Sequence, residues 1–142
     1  MNIYQKLVEI QKSVDSFSKD KKAFNYSYTT GDQVLSKIRP LMNEQGLLLV
    51  QEINDAVNER IDYVNSKGVD KSEILTSAKM TFVWIDSETG EDLRVPFFAN
   101  GMNDWDKGLG SALTYAERYF LLKFFHIPTD ADDVDARQGG GG

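Results

Sequence analysis

The sequence has no cysteine and a single histidine, His126. Without thiols there is no disulfide, no thiolate metal site and no cysteine nucleophile. One imidazole also rules out a multi-histidine metal centre. No uninterrupted apolar run approaches the roughly 18–20 residues that a membrane span needs. The opening residues, Met1-Asn2-Ile3-Tyr4-Gln5-Lys6, lack the apolar core and small-residue cleavage site of a signal peptide. The expectation is a soluble protein of a reducing compartment with no membrane contact. Basic charge is also scarce: 16 Lys and Arg stand against 22 Asp and Glu, a formal net charge of -6. Polyphosphate binders usually carry a basic footprint, so the total argues against nucleic acid. Its distribution weakens that argument. Asp130, Asp132, Asp133 and Asp135 against Arg137 place -3 in the last thirteen residues, and residues 1–45 are net +2.

What is present suits one compact domain. The chain has 142 residues, 41% of them hydrophobic and 11% aromatic, enough to bury a core. The expected division is a core over residues 1–129 and a flexible acidic, then glycine-only tail over 130–142. Ile3, Leu7, Ile10, Val14 and Phe17 recur at helical steps and predict an amphipathic first helix. Phe24, Tyr26 and Tyr28 alternate with small polar residues and predict a short strand or extended arm. Thr29 or Thr30 can cap a second helix, with Asp32 in its first turn. Its stripe is Val34, Leu35, Ile38, Leu41 and Met42, with Gly46 as its stop. Pro40 is expected to kink or split that helix.

Leu47 to Val57 predicts a strand, and residues 58–73 a long loop or a hairpin extension. Ile74 to Ile85 alternates clearly, with Ala78, Met80, Phe82 and Trp84 on one face and Ser77, Lys79 and Thr81 on the other. After the turn at Asp86–Gly90, Leu93, Val95, Phe97 and Ala99 alternate in their turn. Pro96 marks that strand as an edge or a bulge. Gly101 to Asp106 is expected to be a loop, and residues 107–127 the last helix. The fold class that follows is α+β, an antiparallel sheet packed against a long C-terminal helix with N-terminal helices.

The last helix carries the strongest chemical signal. Leu109, Ala112, Leu113, Ala116, Phe120, Phe124 and Ile127 share one side and are expected to face the core. Lys107, Ser111, Thr114 and Arg118 share the opposite side, beside Gly108 and Gly110. Cations, hydroxyls and glycines near a helix start suit phosphate oxygens; a solvated polar face is the plainer alternative. The Gly108-Leu109-Gly110 run is neither a dinucleotide fingerprint nor a Walker loop. A second cluster sets Lys19, Lys21 and Lys22 before Phe24, Tyr26 and Tyr28. Lysines among aromatics suit a single strand, with ammonium groups on phosphates and rings stacked on bases; packing of the rings on the sheet explains them equally well. Lys79 and Arg94 extend a basic groove if their strands pair with both on one face, and Lys37 and Arg39 carry a signal of similar weight. The tail aspartates fail the EF-hand spacing, and His126 suits a helix cap better than catalysis. No serine lies in a nucleophile elbow.

The segment Gly110-Ser111-Ala112-Leu113-Thr114-Tyr115-Ala116-Glu117-Arg118-Tyr119-Phe120-Leu121-Leu122, then Ile127-Pro128-Thr129-Asp130 and further aspartates, resembles the signature of the Erf (essential recombination function) family. These are phage single-strand annealing proteins. Phe24-Asn25-Tyr26-Ser27-Tyr28, Val34 through Pro40-Leu41, and Gly46 are similar to that family's N-terminal half. The resemblance implies ATP-independent binding of single-stranded DNA and annealing of complementary strands in phage recombination. It also implies kinship with the eukaryotic strand-annealing mediators, whose sheet-and-helix core assembles into rings or filaments. Thr114, Tyr115, Arg118 and Tyr119 fall on the family's diagnostic positions, and Tyr26 and Tyr28 on its N-terminal segment.

The expected DNA-binding residues are Lys107, Arg118, Lys22, Lys79, Arg94, Tyr26, Tyr28, Ser111 and Thr114, with no catalytic residue, no metal and no cofactor. The expected partners are single-stranded DNA, other copies of the chain, and a host or phage single-strand-binding protein. The expected location is the bacterial host cytoplasm. Two rival functions are an adaptor whose aromatic helix binds another protein, and a metal-dependent nuclease using the tail aspartates.

Overall fold

The structure, a computed structural model, describes residues 1–18, 31–104 and 107–128, with side chains from 1–14, 33–104 and 107–128. Helix α1 is Ile3–Ser18 and helix α2 is Gly31–Gln45. Three strands follow, β1 Leu47–Val64, β2 Asp70–Asp86 and β3 Asp92–Asn103, and then helix α3, Lys107–Phe124. The sheet is antiparallel in the order β1-β2-β3, so the fold is α+β as the sequence implies. Backbone contacts resolve two compact units. One takes in residues up to 48, 85–93 and 118 onward; the other takes in 49–84 and 94–117.

In the first unit α1 packs on α2. Ile3, Leu7, Ile10 and Val14 are buried from α1, and Val34 and Ile38 from α2. These follow the predicted stripes, each large aliphatic side chain contributing about 1.5–3 kcal/mol by leaving water. Helix α2 runs unbroken through Pro40, so the expected split does not occur. Ser36 and Pro40 share an exposed face, and the Ser36 carbonyl that loses its helical donor can be hydrated there. Gly46 ends α2 at a φ of 69°, a left-handed conformation that suits glycine. Its carbonyl accepts from the Ser87 backbone N–H at 3.0 Å and the Ser87 hydroxyl at 2.7 Å, tying the helix end to the β2–β3 turn.

That turn is also held from α1. The Lys6 ammonium donates to Asp86 Oδ1 at 3.0 Å, both side chains being buried, and Oδ1 also accepts from the Glu88 backbone N–H at 2.9 Å. Glu88 lies 3.4 Å from the same ammonium. At the other end of the unit α3 stops at Phe124, three residues short of the expected Ile127. His126 adopts a φ of 53°; its N–H bonds the Lys123 carbonyl, and the Ile127 N–H reaches back to Leu122. This pair of bonds is a Schellman motif, and the buried Leu122 and Ile127 supply its usual hydrophobic contact. Phe120, Phe124 and Phe125 cluster beside it with ring centroids 5.4 and 5.0 Å apart.

In the second unit the strands are longer than the sequence suggests. Residues 58–73 form the hairpin extension rather than the loop, and β1 continues past Val57 to Val64. Most of this extension is exposed on both faces, so it carries no hydrophobic alternation from which a strand can be read. Polar pairs hold it instead: Asp62 accepts from Arg60 and Ser72, and Tyr63 donates to Glu73. Asn65 builds the turn, its Oδ1 accepting from the Lys67 and Val69 N–H groups.

Side-chain pairing also reveals a bulge. Asn54 bonds Thr81 and Gln51 reaches Met80, whereas Asn58 bonds Thr76 and Asp62 bonds Ser72. The first two pairs join positions of unlike parity, the last two positions of like parity. One extra residue therefore lies in β1 between Asn54 and Asn58, a β-bulge that switches which face later side chains occupy.

The inner face of the sheet carries Ala78, Met80, Phe82 and Trp84, with Phe82 edge-on to Phe97 at 5.6 Å. The expected Gly101–Asp106 loop is shortened, because Gly101 to Asn103 belong to β3. A Cβ on Gly101 would lie 2.4 Å from the Ala112 backbone nitrogen and 2.5 Å from the Gly108 carbonyl. Helix and strand thus approach backbone to backbone. The expected core side of α3 holds at Ala112, Ala116, Phe120 and Ile127, all buried, but its edge shifts: Gly108 joins the contact stripe, whereas Leu109 is 36% exposed and Leu113 half-buried. Small residues admit the close approach, and a leucine in that stripe would hold the helix off the sheet.

Candidate nucleic-acid interface

With Gly108, Ala112 and Ala116 turned to the sheet, the first part of α3 presents Lys107 and Thr114 to solvent and Ser111 half-buried. Three residues expected to share a face do so. Asn103 donates its amide to Ser111 Oγ at 3.1 Å, so the end of β3 fixes that hydroxyl. Thr114 carries a donor and an acceptor in the open. Glu117 lies one turn beyond Thr114 on the same helix, and burial pushes its carboxyl above the usual range. Arg118, which belongs to the first unit, is half-buried with its guanidinium carbon 4.8 Å from the Tyr119 ring centroid. Tyr115 is half-exposed on α3.

Lys79 and Arg94 share a face of the sheet, as the groove reading requires, but it is the face turned away from α3. The Ser77–Asn100 hydrogen bond of 2.7 Å and the Asp86–Glu91 backbone bond fix one register between β2 and β3. It sets Lys79 opposite Phe98 and Val83 opposite Arg94. The sheet therefore separates these two cations from Lys107, Ser111 and Thr114. Arg94 is engaged, its guanidinium 2.9 Å from Glu52 across the central strand. Val83 is buried although it points outward. Lys79 is exposed.

Two clefts accompany these surfaces. One of about 140 Å³ is lined by Arg60, Ser72, Glu73, Ile74 and Asp104. Hydrogen bonds from Ser72 and Arg60 hold Asp62 below the usual carboxylate range, and its bond to Glu73 raises Tyr63. A polyanion gains nothing from such an acidic rim. The other, about 260 Å³, lies in the first unit between Gln11, Lys12 and Val14 and Phe125, His126 and Ile127. Among the described residues no group of three or more His, Asp or Glu is arranged to hold a metal ion, and no helix is long and apolar enough to cross a membrane.

The family model described as the ERF superfamily matches residues 3–141. The chain belongs to the ERF superfamily. Comparison with curated proteins and with solved structures gives no match. Membership fits phage recombination and single-strand annealing at the level of the family.

In this ERF chain Lys22, Tyr26 and Tyr28 lie outside the described residues, as do Lys19, Lys21 and Phe24, both candidate caps, and the tail aspartates. Sequence reasoning missed Phe98, which is 53% exposed on the outer face of β3. Its signal was present: with Leu93, Val95, Phe97 and Ala99 turned inward, an aromatic falls on the outward parity. Asn54 and Asn100 were missed as well, although plain alternation from Leu47 and from Leu93 places both on the outward parity.

Proposed function

We propose that this ERF chain binds single-stranded DNA and anneals complementary strands without ATP, as an oligomer in the bacterial host cytoplasm. The observation that carries this reading is the family match over residues 3–141. The first part of α3 supports it, since Lys107, Ser111 and Thr114 offer a cation and two hydroxyls to phosphate oxygens. No bond is made or broken in this mechanism. Phosphates are held, base edges stay accessible, and a second strand pairs with the first. Assembly multiplies weak contacts along one strand, offsetting the net acidity of each protomer. Arg118 and the segment with Lys22, Tyr26 and Tyr28 extend the proposed contacts, and a host or phage single-strand-binding protein is a further partner.

The test mixes labelled complementary oligonucleotides with the protein, with and without ATP and magnesium, and follows pairing and strand length. Pairing accelerated without ATP and with intact strands is the expected result. Magnesium-dependent shortening of the strands would replace the reading with a nuclease. No binding at low salt would replace it with a protein adaptor.

A further inference from the structure

The outer face of the sheet around Phe98 combines groups that the helix face lacks. Phe98 is a large aromatic side chain, 53% exposed in the middle of a strand. Its cross-strand neighbour is Lys79, also exposed, with about 5 Å between their Cβ atoms for a directly opposed pair. Along the strands the pair is flanked by Ser77, Thr81, Pro96 and Asn100, none of them a carboxylate. On the β1 side stand Asn54 and the half-exposed Val57.

The hydrogen bonds here leave useful groups. Ser77 donates to Asn100 Oδ1, so the Asn100 amide nitrogen is held in place with donors to offer. Asn54 donates to Thr81, which leaves its Oδ1 as an acceptor. A flat face with one open ring, one cation beside it, and fixed amide donors and acceptors matches a nucleotide part by part. The ring stacks on the base, the ammonium meets the adjoining phosphate, and the Asn100 amide donors reach backbone oxygens, so the base edge stays open for pairing.

We propose that Phe98 and Lys79 form a nucleobase-stacking site on the outer face of the sheet, taking single-stranded nucleic acid through its bases as well as its phosphates. The inference rests on the proposed single-strand binding and adds the groups that contact the bases. A protein segment laid on the same apolar surface is the competing occupant, and the cation beside the ring favours the nucleotide.

The test compares oligothymidylate with an abasic oligodeoxynucleotide of equal length, using the full chain, Phe98→Ala, Phe98→Trp and Lys79→Ala. Phe98→Ala is expected to weaken oligothymidylate binding by roughly 5- to 150-fold and leave abasic binding unchanged. Phe98→Trp is expected to retain affinity and show indole fluorescence quenched by oligothymidylate but not by the abasic strand. Lys79→Ala is expected to weaken both ligands and to reduce the salt slope for each. An unchanged ratio of thymidylate to abasic affinity in Phe98→Ala overturns the inference while leaving strand binding intact. A changed assembly mass with that ratio unchanged overturns it in favour of an interface between copies. Failure of the unaltered protein to bind oligothymidylate at low salt overturns the function and the inference together.

Discussion

Lys107 and Glu117 stand on one helix with opposite consequences for a polyanion. Lys107 is exposed and adds a cation to the face carrying Ser111 and Thr114. Lys107→Ala should therefore weaken single-strand affinity and lower the slope of log affinity against log salt by about 0.7, one phosphate contact on a single strand. An unchanged slope in a folded variant would remove Lys107 from the interface. Glu117 is half-buried, and burial raises its pKa above the ordinary 4.5; it stands one turn from Thr114, near the proposed phosphate path. Glu117→Gln should raise affinity at pH 7, and the gain should shrink as pH falls and the native carboxyl takes up its proton. Equal gains at pH 7 and pH 4.5 would show that the charge is not the cause. His126 presents a different residue-scale problem, since it holds a left-handed conformation that costs a side-chain-bearing residue about 1–2 kcal/mol. His126→Gly should leave the melting temperature unchanged or higher, whereas the β-branched His126→Val should lower it. Thermal denaturation of both variants would check the pair.

At the scale of elements, the packing of α3 on the sheet is set by glycines that differ in what they meet. A methyl group at Gly101 runs into the backbone of Ala112 and Gly108 at 2.4 and 2.5 Å, whereas one at Gly110 meets nothing within 4 Å. Gly101→Ala should cost about 1–3 kcal/mol through overpacking. Gly110→Ala should gain up to about 1 kcal/mol from helix propensity. Urea denaturation giving the same sign for both would refute the close-approach account.

The same contact explains what the sequence makes legible. Stripes in α1 and α2 are apparent because each buries one face of aliphatic side chains. β2 is apparent because from Thr76 onward one face is wholly buried. The edge of the core side of α3 is misplaced, because Gly108 carries no hydrophobic signal while Leu109 stands out at the surface. The extended hairpin escapes notice because neither face is covered, and the bulge in β1 because one added residue changes a face without changing composition. For the candidate interface, the shared face of Lys107, Ser111 and Thr114 follows from helical period alone. The placement of Lys79 and Arg94 on the far side of the sheet requires the strand register.

For the molecule as a whole, the net charge of -6 is a weak guide to where charge matters for folding. The decisive pair is Lys6 with Asp86, which joins α1 to the β2–β3 turn. Its hydrogen bond to Asp86 raises the Lys6 ammonium above its ordinary 10.5 against the opposing effect of burial, with Glu88 adding to the rise. Burial is the largest single influence on Asp86 and would raise it. The Glu88 and Thr89 backbone N–H groups and the Lys6 ammonium together outweigh it and hold the carboxyl below its ordinary 3.8. The signs of the two contributions differ. The Asp86 contribution is present above the unfolded carboxylate value and is lost as pH falls through the lowered folded value. The Lys6 contribution is full below 10.5 and is lost as pH rises through the raised folded value. The pair therefore supports the fold fully between the ordinary values of the two groups and weakens beyond both.

Lys6→Met separates this from general acid unfolding. It leaves a buried carboxylate without its ammonium, which is far costlier than an exposed ion pair lost. The fall in melting temperature caused by Lys6→Met should be largest near pH 7. It should shrink as pH falls, because the variant's Asp86, without the ammonium that lowers its pKa, takes up a proton before the native one does. A difference between the two proteins that stays constant from pH 7 to pH 3 would mean that the lysine acts through its aliphatic stem. The Asp86 carboxyl would then draw its stability from the turn amides alone.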